Sequence, residues 1–140
     1  KKTNQSSQTN SVTLRPIPRD IPTGENISPA SLSIEIEHDH YPLSTTEVKI
    51  TITNHSHYEY ECGEKYSLAY YNKSKRQWET LPTDPVVNDI LWVFPPEHPS
   101  HQQTIKLYTS ESPNHPGKYR IYKSFNRGTK VAYGEFELLP

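Results

Sequence analysis

Apolar residues recur at every second position along this chain, and that periodicity limits its folding more than any other feature. Leu32, Ile34 and Ile36 alternate with Ser33, Glu35 and Glu37, and Val48, Ile50 and Ile52 alternate with Lys49, Thr51 and Thr53. Successive side chains of a strand point to opposite faces, so each segment reads as a strand with one dry and one wet face. Tyr66 to Tyr71 and Arg76 to Leu81, which contains Trp78, read as a hairpin across the polar residues 72–75, closed by Pro82 and Pro85. Residues 86–94, 104–108, 118–125 and 131–138 supply further strands, whereas no window carries a helical apolar stripe. The expectation is all-β: a sandwich of about seven strands in two sheets.

The last hairpin tests its own register. If Arg127 and Gly128 form a two-residue turn, Lys118 faces Glu137, Arg120 faces Glu135 and Tyr122 faces Tyr133 on the outward side. On the other side Tyr119 meets Phe136 and Ile121 meets Gly134, an apolar row suited to a core. A slip of one residue would bury the charges instead. Lys123 is the one misfit on the dry side, and its stem is expected to lie on the core rim with its ammonium in water.

Residues 1–11 (KKTNQSSQTNS) contain nothing apolar and are expected to form a flexible tether. Pro16, Pro18, Pro22 and Pro29 then exclude helix and favour extended backbone without ladder donors. The predicted organisation is therefore a tether and proline-rich connector over residues 1–30 and one sandwich domain over 31–140. A net charge of -1 gives no field to attract nucleic acid or an anionic membrane face. Cys62 is the only cysteine, so no intrachain disulfide and no thiolate metal cage can form from this chain. The longest apolar run, from Ile90 to Phe94, is too short to span a bilayer. The chain has no methionine, even at position 1, which is expected of a trimmed product. Membrane attachment is expected only through something upstream, such as a lipid on a preceding cysteine.

Gly117, Tyr119 and Ile121 follow one another at the spacing of the immunoglobulin tyrosine corner. Ile121 stands where an antibody domain carries its second cysteine, so aliphatic packing is expected to replace the inter-sheet bridge. With TITNHS (51–56), CGEKYSLAYY (62–71), the Trp78 hairpin, PGKYRIYKSF (116–125) and YGEFELLP (133–140), residues 31–140 resemble bacterial immunoglobulin-like domains of surface and secreted lipoproteins. That resemblance implies an extracytoplasmic compartment, at the cell surface or in the periplasm, and a spacer or recognition role. It brings no catalytic residues. Tyr119, Gly117, Ile121, Trp78 and Phe136 are expected to be structural.

Other constellations have plain readings. His38 and His40 follow one strand and His55 and His57 follow the next, which puts the pairs at opposite ends of two antiparallel neighbours, too far apart for shared zinc. Cys62 beside these histidines lacks the further features of a nucleophile site and reads as a half-buried thiol. Glu35 with Glu37 and Glu135 with Glu137 read as solvated strand faces. Asn-x-Ser sequons at Asn4, Asn26, Asn54 and Asn72 carry no weight in a bacterial setting. Neither cofactor nor metal is expected. Tyr122 and Tyr133 on the outward face, with Tyr58 and Tyr60 in a loop, are the candidate binding surface; Trp78 and Trp92 are expected in the core. Two classes remain: a noncatalytic spacer or protein-interaction module, and a carbohydrate-binding module using exposed aromatics, the partner being a protein or glycan at the cell surface.

Overall fold

The computed structural model describes residues 15–16, 25–26, 31–83, 90–107 and 113–140. Twelve strands fall within them: β1 (Arg15–Pro16), β2 (Glu25–Asn26), β3 (Leu32–Ile36), β4 (His40–Pro42), β5 (Glu47–Asn54), β6 (Tyr60–Cys62), β7 (Ser67–Asn72), β8 (Gln77–Leu81), β9 (Trp92–Phe94), β10 (Ser100–Lys106), β11 (Gly117–Phe125) and β12 (Lys130–Leu139). The large sheet runs β1-β8-β7-β11-β12-β2, with β4 also on β12. Against it stands the sheet β10-β5-β3, and β6 and β9 form a separate ribbon. The all-β sandwich expected from the alternation is present, with more and shorter strands than seven and with the third, two-stranded piece.

Between the sheets lie Leu32, Ile34, Val48, Ile50, Ile52, Leu68, Ile105, Ile121, Phe125, Phe136 and Leu138, all buried. Ile52 and Ile121, both fully buried, occupy the two sheets without a disulfide between them. The inferred hairpin register is the observed one, with Lys118 opposite Glu137, Tyr119 opposite Phe136 and Tyr122 opposite Tyr133. Thr129 N–H bonds Asn126 O around the turn, and Arg127 and Gly128 take φ of 57° and 84°. Positive φ at both central residues is the twist that a two-residue hairpin needs.

Tyr119 closes the corner between the sheets. Its ring stacks on Phe136 at 5.3 Å and 16°. Its hydroxyl accepts from His115 N–H at 2.9 Å and donates to His115 O at 3.1 Å. Gly117, at φ 136°, opens β11 where a side chain would press on the Tyr70 ring. At Gly134, β3 crosses so closely that a Cβ would stand 2.6 Å from Ile34 O.

Residues 1–11 lie outside the described residues. Within the proline-rich segment, β1 pairs with β8 and β2 pairs with β12, so both short pieces cap edges of the large sheet.

Candidate functional site

The outward face of the large sheet holds an aromatic and cationic row. Alternation directs Trp78, Arg120, Tyr122, Tyr133 and Glu135 away from the other sheet, since their neighbours Glu79, Tyr119, Ile121 and Gly134 point between the sheets. Ala69 pairs with Thr80 on one side and Arg120 on the other, and its small side chain lets the Trp78 ring lean across β7. The Arg120 guanidinium then sits 4.1 Å from the Trp78 ring centre and 4.2 Å from that of Tyr133. Arg120 Nε donates to Glu135 Oε2 at 2.7 Å, and Nη1 donates to the Tyr122 hydroxyl at 3.2 Å. Burial works against the Arg120 charge, but the Tyr122 and Glu135 hydrogen bonds outweigh it and hold the pKa above its ordinary value. Tyr71 closes the row against Trp78 at 5.2 Å.

Trp78 was expected in the core; it is half-buried on the outer face, because its pairing with Tyr71 sets its parity. Tyr122 faces outward as the register requires but is only 8% exposed, packed with Ala69, Val131 and Trp78 in a small apolar cluster of its own. Tyr133 remains 45% exposed and Tyr58 75% exposed. Tyr60 is not a loop residue; it opens β6 and packs edge-on against Phe125. Of the four tyrosine candidates, the fold brings only Tyr122 and Tyr133 together, with ring centres 5.4 Å apart.

A second cluster gathers at the β6–β9 ribbon. Lys123 does not reach water: it is 0% exposed, and its ammonium donates to Gly63 O at 2.7 Å and Lys65 O at 2.9 Å. Those two carbonyls replace solvent, which is what allows a charged group on the dry side of β11. Burial brings the Lys123 pKa down to about 8. Cys62, buried across the ribbon from Trp92, has its thiol pushed up to about 11 by burial, partly countered by Lys123. A thiol so placed is protonated at neutral pH and is a poor nucleophile. The His101 ring meets Trp92 with centroids 3.9 Å apart and planes tilted by 36°, and burial followed by the Lys123 charge lowers its pKa. No sequence signal joined Lys123 to this ribbon, because the loop carbonyls that hold it come from the backbone.

The histidine pairs fall as the strand order dictates. Leu32 pairs with Asn54 and Ile36 with Ile50, so His38 and His40 leave one end of this sheet and His55 and His57 the other. An open groove of about 490 Å³ follows the seam of β3 and β12, lined by Glu35, Glu37, Asp39 and Glu135 among others.

The model of the family described as "Bacterial Ig-like domain" matches residues 28–137, and the chain belongs to that family. No curated protein sequence matches it. Among solved structures it is similar to the Pseudomonas fluorescens alkylpurine DNA glycosylase AlkC bound to DNA containing an abasic site analog, at 14% identity and a TM-score of 0.40. That similarity covers 79% of this chain and 31% of the other.

Proposed function

We propose that this chain is a noncatalytic immunoglobulin-like module of a bacterial cell-surface or secreted lipoprotein, serving as a spacer or protein-interaction domain outside the cytoplasm. Families of this kind generally do no chemistry of their own, and the buried, protonated Cys62 and sealed Lys123 fit that reading. The observation that carries the choice of partner is the state of the two tryptophans. A sugar-binding surface needs a flat ring face open to the ligand, whereas Arg120 lies over Trp78 and His101 lies over Trp92. The remainder of the row, exposed Tyr133 and Glu135 with the half-buried Arg120 between them, has the aromatic and arginine character enriched in protein contacts.

The test pairs a glycan array with affinity capture from bacterial surface extracts. Selective capture of a protein, weakened by Tyr133→Ala, supports the reading. Saturable binding of one glycan that quenches tryptophan fluorescence would overturn it in favour of the carbohydrate-binding module.

A further inference from the structure

The edges of the two sheets are treated differently. In the large sheet, β8 is capped by β1 with Pro16, and β12 is capped by β2 and by β4 with Pro42. In the smaller sheet β3 runs close along β12 at Gly134. The other outer strand, β10, has no strand hydrogen-bonded along its outer side among the described residues, and β9 meets it through the ring contacts of Trp92 and Phe94 with His101.

Two backbone bonds fix which groups it presents. Asn54 N–H bonds Pro99 O and Leu107 N–H bonds Thr46 O, each at 2.8 Å, at the two ends of the β5–β10 ladder. Hydrogen-bonded and non-bonded pairs alternate along an antiparallel ladder. Residues 99, 101, 103, 105 and 107 therefore turn their main-chain groups toward β5, and Ser100, Gln102, Thr104 and Lys106 turn theirs outward. The Tyr66 hydroxyl donates to Lys106 O at 3.0 Å, which agrees with this parity and closes that end. Among the described residues nothing bonds the outward main-chain groups of Ser100, Gln102 or Thr104, and all three residues are exposed. Beside them the Gln103 side-chain oxygen is buried without a donor, while its Nε2 donates to Glu64 O.

Natural edges of this kind are normally blocked by charge, proline or a bulge. From Ser100 to Thr104 this one carries neither an acidic side chain nor Lys, Arg or Pro. We propose that the open edge of β10 pairs antiparallel with β10 of a second copy of this chain, centred on Gln102, to give one continuous sheet across the pair. Side-chain chemistry selects that occupant. A foreign strand is recognised through pockets for alternate side chains, and the outer row here is Ser100, Gln102 and Thr104, with hydroxyls and an amide but no apolar pocket. Self-pairing sets Ser100 against Thr104 and Gln102 against itself, matching hydroxyl with hydroxyl and amide with amide, with no like charges opposed. It also sets Gln103 opposite His101 of the partner subunit, a side chain with a ring N–H to donate. Strands this short bury well below the roughly 1,200 Å² of a stable complex, so the pair is weak and forms at high local concentration.

Sedimentation equilibrium from roughly 10 μM to 1 mM spans the affinities such a small interface reaches. The expected result is a weight-average mass rising toward twice the monomer, with the Gln102 and Thr104 amides gaining exchange protection at the high end. Gln102→Lys places like charges face to face at the centre and leaves every bond within the fold in place. It should melt as the parent does and stay monomeric throughout. A parent mass that never leaves the monomer, or association that survives Gln102→Lys unchanged, overturns the proposal. So does an unrelated extended peptide that protects the same amides while the chain itself stays monomeric.

Discussion

Lys123 makes the stability of this domain depend on pH in an unusual direction. Its pKa is brought down to about 8 in the folded state, against about 10.4 for a free lysine. A group with a depressed folded pKa costs stability while the folded protein must hold the proton, so that cost is relieved as pH rises from 8 toward the unfolded value. Four groups act oppositely. Burial pushes the Cys62 thiol up to about 11 and the Tyr119 phenol to about 12, and it also raises the Tyr41 and Tyr70 phenols, so each removes stability once its unfolded counterpart ionises, near pH 9 for the thiol and pH 10 for the phenols. Between pH 8 and 9 only Lys123 is in play, and one unit corresponds to about 1 kcal/mol of gained stability. From pH 9 to 10 the lysine and the thiol nearly cancel, and above pH 10 stability falls. Urea melts at half-unit intervals from pH 7 to 11 should trace this rise, plateau and decline. Lys123→Met removes a buried charge and leaves two carbonyls without a donor, opposing effects that should keep its pH 7 stability within about 2 kcal/mol of the parent. Its pH 8 to 9 rise should vanish. A parent curve that falls from pH 8, or a Met variant that keeps the rise, would refute the assignment of the effect to this ammonium.

Tyr119→Phe keeps the stack on Phe136 and strips both main-chain groups of His115 of their partner, so denaturant melts should show a loss of about 2 kcal/mol. Gly134→Ala drives a Cβ into a backbone carbonyl that side-chain rotation cannot move aside, and should cost about 1 to 3 kcal/mol by the same assay. Arg120→Met empties the space between Trp78 and Tyr133, with an expected loss of about 1 to 2 kcal/mol and a shift in tryptophan emission.

What could be read from the sequence was whatever alternates or pairs across strands. β3 and β5 have unbroken alternation, and the terminal hairpin carries matched charges that specify one register, so side-chain chemistry declares both. β10 was visible only from Thr104 onward, since its first half, SHQQ, is polar on both faces and its pairing follows from β5 rather than from its own residues. In YSLAYY apolar residues occupy both faces of β7, which hid the parity of that hairpin and put Trp78 on the wrong side. Tyr122 was given the right face and the wrong exposure, because the cluster with Ala69 and Val131 forms between strands distant in sequence. Lys123 looked like a rim residue because a sequence does not reveal that two loop carbonyls will converge where its ammonium ends.

The parallel pairing of β4 with the end of β12 has a mechanical consequence. His40, Tyr41 and Pro42 lie alongside Glu137, Leu138 and Leu139 in the same direction. Tension along the chain, once the upstream pairings of β1, β2 and β3 had given way, would pull β4 backward and β12 forward along a common line. The bridging bonds would then be sheared together rather than peeled one after another, so a short contact between these two strands could hold a stretched chain until several bonds failed at once.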